Sequence, residues 1–125
     1  MRSILLPTGF DTGQITLYSL ARDSGLAWDT VRDVLQGKGT IGSLDRLRKT
    51  LGLRWSWTAE KEATATGRAL ALRRKAKGLS QRAMADRLAV SPQTIVTLET
   101  RFRGRVETLR RYLRMIGLMD TLAMP

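Results

Sequence analysis

The sequence contains no cysteine and no histidine among its 125 residues. Their absence excludes disulfides, the usual zinc sites and the common nucleophile–base pairs of enzymes. A glycine-rich phosphate loop is also missing, because Gly37-Lys38-Gly39 alone is better explained as a helix end and turn. The sequence therefore predicts a protein that is not an enzyme, with no catalytic residues, no metal site and no cofactor.

Long apolar runs are missing as well. The first ten residues, MRSILLPTGF, hold too few apolar side chains for a secretory signal, and no later run approaches the length of a membrane span. Only seven residues are aromatic, and the hydrophobic share of 42% is typical of small helical units. We therefore expect an all-α protein of the bacterial cytoplasm, with no membrane partner.

Acidic residues are too few to balance the basic ones, and the excess of basic residues is concentrated in the second half of the chain. The chain has 22 Lys and Arg against 11 Asp and Glu, for a net charge of +11. Residues 63–125 hold 13 of the basic and 4 of the acidic side chains. Such an excess indicates a polyanionic partner, nucleic acid before membrane, although a basic surface serving solubility alone stays open.

Residues 79–101 carry the pattern of two short helices joined by a tight turn. Ser80 is placed to cap the first helix, and Ser91 followed by Pro92 is typical of the start of a second. Five apolar residues recur at helical spacing and predict the buried face: Met84, Ala85, Leu88, Ile95 and Leu98. The stretch therefore predicts a helix-turn-helix.

The sequence LSQRAMADRLAVSPQTIVTLE within this stretch resembles the Xre, or lambda-repressor-like, family of bacterial DNA-binding domains. Residues 105–118, RVETLRRYLRMIGL, are similar to the family's closing helix. One departure is Ala89, where the family usually has glycine in the turn. If Ala89 adopts a left-handed conformation, it carries strain of roughly 1 kcal/mol.

The outward face of the second helix predicts the DNA contacts. Gln93 suits adenine, threonine hydroxyls suit base edges or phosphate, and apolar side chains suit the thymine methyl group. The predicted base contacts are Pro92, Gln93, Thr94, Val96 and Thr97. The predicted phosphate contacts are Gln81, Ser91, Arg101, Arg103 and Arg105. The resemblance gives Gln81 its phosphate-binding and bracing role, whereas the three arginines stand on alternate residues and are expected to point one way.

An internal repeat extends the pattern to the first half of the chain. A shift of 64 places Leu20 on Met84 and Val31 on Ile95. The repeat predicts tandem lambda-repressor-like domains: a divergent one at 1–57 that serves dimerisation or an auxiliary DNA contact, with dimerisation favoured, a linker or helical connection at 58–67, and an Xre-like domain that binds DNA at 68–125. Within the second domain we expect a helix at 68–77 with a solvent-facing basic row of Arg73, Arg74, Lys75 and Lys77; a helical connection running into it and a break at Gly67 both stay open.

The first domain departs from the family in its helices and its surface. Pro7, Gly9 and Gly13 disfavour a regular helix over residues 4–13. The helix from Trp28 to Gln36 has an uncapped start at Ala27 and exposes acidic positions. Its candidate contact residues are Trp28, Asp29 and Arg32, for which a protein interface and an auxiliary DNA contact both stay open. A small two-stranded β element is expected near residues 4–6 and 53–57.

The resemblance implies a sequence-specific protein that binds double-stranded DNA, associates with the nucleoid and regulates transcription. Repression by promoter occlusion is the default, because 14 kDa leaves no room for a sensor domain. A homodimer is expected, since two-fold proteins read paired half-sites. The alternatives are an antitoxin-like or anti-activator module that binds a protein through the first domain, and an architectural factor in mobile-element recombination.

Overall fold

Seven helices make up most of the chain described by the computed structural model, which covers residues 3–125. The helices are α1 (Leu17–Ser24), α2 (Trp28–Leu35), α3 (Ile41–Leu51), α4 (Ala63–Ala76), α5 (Gln81–Leu88), α6 (Pro92–Arg101) and α7 (Val106–Met115). Two short strands, β1 (Arg54–Trp55) and β2 (Leu122–Ala123), form one antiparallel pair. The predicted all-α class with a small sheet is confirmed.

The helix ends follow the capping signals of the sequence. The side chains of Ser80 and Ser91 each accept a backbone N–H bond in the first turn of α5 and α6, as predicted. Ala27, at the start of α2, makes no side-chain capping bond. Ala89 ends α5 in the left-handed conformation, with φ 54°, so the turn keeps the geometry for which glycine is favoured.

The sheet pairs different segments from those predicted. β1 lies within the expected region 53–57, but its partner is β2 near the C-terminus and not residues 4–6. Residues 4–6 form a turn, in which Leu5 is buried and Ile4 is 55% exposed. The prediction failed there because Pro7 follows at once and offers no ladder N–H, whereas Leu122 brings a buried apolar side chain to β1. The C-terminal tail therefore closes the core through Leu122.

Helix α4 begins at Ala63, and Gly67 lies inside it instead of breaking it. A β-carbon on Gly67 would stand 2.5 Å from the carbonyl oxygen of Glu99. Glycine therefore lets the backbones of α4 and α6 approach closely, which offsets its cost of about 1 kcal/mol in a helix interior. Of the two alternatives for this segment, the continuous helix is observed and the break at Gly67 is not, because this tertiary contact overrides the local preference of glycine.

The segment between β1 and α4 packs the two halves of the chain together. Trp55 and Trp57 lie with ring centroids 5.2 Å apart, and both contact the Phe102 ring, at 5.0 and 5.7 Å. The Trp57 indole N–H donates to the carbonyl oxygen of Thr66, 3.1 Å away. One hydrophobic core therefore runs through both halves.

Replacing Ala89 with glycine should stabilise the protein. The change removes the β-carbon that disfavours a φ of 54°, so we expect the free energy of unfolding to rise by about 0.5–1 kcal/mol. Urea denaturation measures it. Ala71→Gly, in the right-handed interior of α4, is the control and should lose about 1 kcal/mol. Equal losses for both variants would contradict the prediction.

Candidate nucleic-acid interface

Helices α5 and α6 are held against the core by the five apolar residues that the sequence singled out. Met84, Ala85, Leu88, Ile95 and Leu98 are each at most 2% exposed. Ala85 is fully buried within α5, and α5 packs against α6. Because one face of α6 is fixed in this way, its opposite face has a defined orientation toward solvent.

The outward face of α6 carries the residues predicted to contact bases. Pro92 and Gln93 are exposed, and Thr94, Val96 and Thr97 are half-buried. The Gln93 side-chain amide donates to the Thr97 hydroxyl across one helical turn, at 3.2 Å. This bond orients Gln93 and leaves its carbonyl oxygen and a second amide hydrogen for the edge of an adenine.

An open groove joins this face to the loop that follows α6. Its lining includes six of the predicted DNA contacts: Ser91, Gln93, Thr94, Thr97, Arg103 and Arg105. Val90, Gly104 and Thr108 complete the lining. Base-type and phosphate-type side chains therefore line a single surface, although the sequence separates them by up to 14 positions.

The three arginines do not form the alternating row that their spacing predicted. Arg101 lies in the last turn of α6, and Phe102 then adopts a left-handed conformation with φ 51°. The chain bends at Phe102, so the run is not extended. Of the three, Arg103 and Arg105 line the groove and Arg101 does not, so the extended run on which the expected common direction depended is absent.

The Gln81 side chain points toward the buried Glu99 of α6, and Gln81 does not line the groove. Its amide donates to Oε1 of Glu99, 3.0 Å away. The bracing role expected from the resemblance therefore has a structural counterpart, and one amide hydrogen of Gln81 remains for a phosphate oxygen.

A buried polar network fixes α6 to its neighbours. The Arg74 guanidinium binds both oxygens of Glu99, with Nε to Oε2 at 2.6 Å and Nη2 to Oε1 at 2.9 Å. The Tyr112 hydroxyl lies 2.6 Å from Oε2 of Glu99 and donates to it. Arg74 is therefore not part of the solvent-facing basic row that the sequence predicted, because it is only 5% exposed.

The network also determines the charge states of its members. Burial alone would raise the pKa of the Glu99 carboxyl, but the hydrogen bonds from Arg74, Tyr112 and Gln81 outweigh burial and hold that pKa below its usual value. Burial and the bond to Glu99 raise the pKa of the Tyr112 hydroxyl well above its usual value. Glu99 is therefore a carboxylate at neutral pH, and Tyr112 keeps its proton.

Sequence reasoning missed this network, although signals for it exist. Glu99 follows Ile95 by four positions, so the same helical face that buries Ile95 also buries Glu99. Tyr112 likewise continues the stripe of Leu109 and Leu113. Arg74 lies four residues after the buried Leu70. A charged residue in such a stripe indicates a buried partner.

Helix α2 presents a different surface. The Arg32 guanidinium lies 5.3 Å from the centre of the Trp28 ring, and it forms ion pairs with Asp29 at 3.5 Å and Asp33 at 3.3 Å. Trp28 remains 46% exposed. The predicted auxiliary residues therefore form one local cluster, in which two carboxylates surround a single guanidinium.

Comparison with known proteins gives a match for the segment that contains the groove. Residues 65–123 match the family model of a helix-turn-helix domain. That class of domain suggests DNA binding and transcription regulation. No curated protein and no solved structure matches the chain. Among residues 3–125, no helix is both long enough and apolar enough to span a bilayer.

Glu99→Gln should destabilise the protein by about 3 kcal/mol or more at neutral pH, because it leaves the buried Arg74 without its counter-charge. The Glu99 pKa is depressed in the folded state, so its carboxylate stabilises the fold above the unfolded-state pKa. This contribution is lost as pH falls through the folded-state pKa.

The difference in unfolding free energy between wild type and Glu99→Gln should therefore be largest near pH 7 and shrink below about pH 4. Chemical denaturation at a series of pH values measures it. Glu107→Gln, an exposed change in the first turn of α7, is the control and should cost less than about 1 kcal/mol. A deficit that stays constant down to pH 3 would show that the charge of Glu99 is not the cause.

Proposed function

We propose that the protein is a sequence-specific regulator of transcription that binds double-stranded DNA through α6, in the manner of the Xre family. The observation that carries this proposal is the groove in which Gln93, oriented by Thr97, lies beside Arg103 and Arg105. Base recognition and phosphate binding need these two kinds of group on one surface. The helix-turn-helix match over residues 65–123 supports the same conclusion.

Recognition of bases comes from the outward face of α6. Gln93 bonds adenine N6 and N7, and the hydroxyls of Thr94 and Thr97 bond base edges. Val96 and Pro92 offer apolar contact to a thymine methyl group. Because one glutamine supplies the only bidentate contact among these five, the preferred site should contain a well-defined adenine within a more tolerant sequence.

Phosphate contacts orient the helix in the major groove. Arg103 and Arg105 follow α6 directly, and the guanidinium fork suits phosphate oxygens. Arg101 at the end of α6, Ser91 at its start and the remaining amide hydrogen of Gln81 extend these contacts along the backbone. The charge of residues 63–125, with 13 basic against 4 acidic side chains, adds long-range attraction.

Repression by promoter occlusion is the simplest regulatory outcome, since it requires only stable occupancy of the site. The protein then acts on the nucleoid, where its DNA lies. A protein-binding function of an antitoxin-like or anti-activator kind is the second candidate, because the exposed Trp28 beside two carboxylates is a surface that could anchor a partner protein.

Gln93→Ala and Arg103→Ala should weaken DNA binding in different ways. We expect Gln93→Ala to lower the preference for the selected site over random duplex by about 1–3 kcal/mol. Arg103→Ala should weaken both duplexes alike and reduce the slope of log K against log salt by about one. Fluorescence anisotropy titrations at several salt concentrations measure both effects.

Arg114→Ala, an exposed arginine of α7 outside the groove lining, is the matched control for Arg103→Ala. Its selectivity should equal that of wild type, and its salt slope should change less. A wild-type protein that prefers no duplex, but forms a stable complex with another protein that Trp28→Ala disrupts, would favour the protein-binding function instead.

A further inference from the structure

The loops after α2 and α6 exchange two reciprocal hydrogen bonds. The Ile41 N–H donates to the Gly104 carbonyl at 2.9 Å, and the Val106 N–H donates to the Gly39 carbonyl at 3.0 Å. Between them, Thr40 and Arg105 form an antiparallel bridge. Each loop therefore donates one bond and accepts one bond at the same place.

The bonded positions are equivalent in the two halves. Helices α1 and α5 begin 64 residues apart, as do α2 and α6, and α3 and α7 begin 65 residues apart. A shift of 65 places Gly39 on Gly104 and Ile41 on Val106, so equivalent donors bond equivalent acceptors. Contacts of this reciprocal kind are what a two-fold axis produces.

A second reciprocal contact lies between the strands that follow α3 and α7. Arg54 pairs with Ala123, and Trp55 pairs with Leu122. Each strand follows the third helix of its half, so the pairing joins corresponding places in the two halves, although β2 begins 68 and not 65 positions after β1. The reciprocal loop bonds and the strand pairing both support an approximate two-fold relation between the two halves.

We propose that a single chain binds DNA as an internal pseudo-dimer, with α6 on one half-site and α2 on the next. This inference rests on the proposed DNA-binding function. In two-fold helix-turn-helix proteins the two recognition helices meet half-sites about one helical turn apart. Here the axis passes between the loops that follow α2 and α6, so α2 occupies the position of the second recognition helix. The pair inside one chain takes the place of the homodimer that the sequence predicted.

The two half-sites are not read alike. A shift of 64 replaces Gln93 with Asp29 and Thr97 with Asp33, and both carboxylates lie within 3.5 Å of the Arg32 guanidinium. Since one guanidinium balances only one of the two carboxylates, one negative charge remains beside the phosphates and weakens the binding of α2 to its half-site. Lys38 directly precedes Gly39, whose carbonyl oxygen accepts the Val106 N–H, so the loop after α2 adds one cation next to the bridged loops. The operator should therefore pair one defined half-site with one degenerate half-site.

Removing a carboxylate from α2 tests whether this helix faces DNA. Asp33→Asn should tighten binding about threefold or more at low salt, because one repelling charge is removed, and the gain should fade at high salt. Asp120→Asn, an exposed change beside β2, alters the net charge equally and should give a smaller gain. Equal gains for the two variants would overturn the proposal.

Stoichiometry and footprint complete the test with the full-length chain. Native mass spectrometry should show one chain on a duplex carrying the selected site, and hydroxyl-radical footprinting should show protection of two segments about 10 base pairs apart. Two chains per duplex, or one protected segment, would overturn the pseudo-dimer. The proposed function would still stand in that case if the preference for the selected site depends on Gln93. A wild-type protein that binds selected and random duplexes equally well would overturn both the pseudo-dimer and the proposed function.

Discussion

The bidentate ion pair between Arg74 and Glu99 is the interaction on which the orientation of α6 depends. It joins α4 to α6, and the bonds of Glu99 to Gln81 and Tyr112 add α5 and α7. A buried ion pair contributes less to net stability than its geometry suggests, because desolvation opposes it. Its contribution here is directional: apolar packing of Ile95 and Leu98 turns the opposite face of α6 to solvent, and the four hydrogen bonds fix the register of α6 against its neighbouring helices. The outward face of α6 is defined as a result.

Local signals accounted for the helix-turn-helix. Ser80 and Ser91 are capping residues and predict where α5 and α6 begin. The helical spacing of the apolar residues from Met84 to Leu98 identifies the buried face. Each of these features is determined by residues within one or two helical turns, which is why one sequence suffices to find them. The left-handed turn at Ala89 was also accessible, since the three-residue connection between α5 and α6 leaves few other conformations.

Non-local contacts were the part that sequence reasoning could not recover. Arg74 and Glu99 are 25 positions apart, and β1 is separated from β2 by more than 60 residues. Gly67 looked like a helix breaker because its advantage exists only where α4 crosses the backbone of α6. The groove shows the same limit: Gln93 and Arg103 were each predicted, but the bend at Phe102 that brings them to one surface was not.

That bend depends on the first half of the chain. A left-handed conformation costs a residue with a β-carbon about 1–2 kcal/mol. For Phe102, the burial of its ring against Trp55 and Trp57 offsets this cost. The loop carrying Arg103 and Arg105 therefore takes its shape from tryptophans outside the helix-turn-helix, and the bridge from Thr40 to Arg105 holds it from the same side. The first half thus shapes the surface beside α6 whether or not α2 itself contacts DNA. An isolated second half would have the residues predicted to contact DNA without the support that positions them.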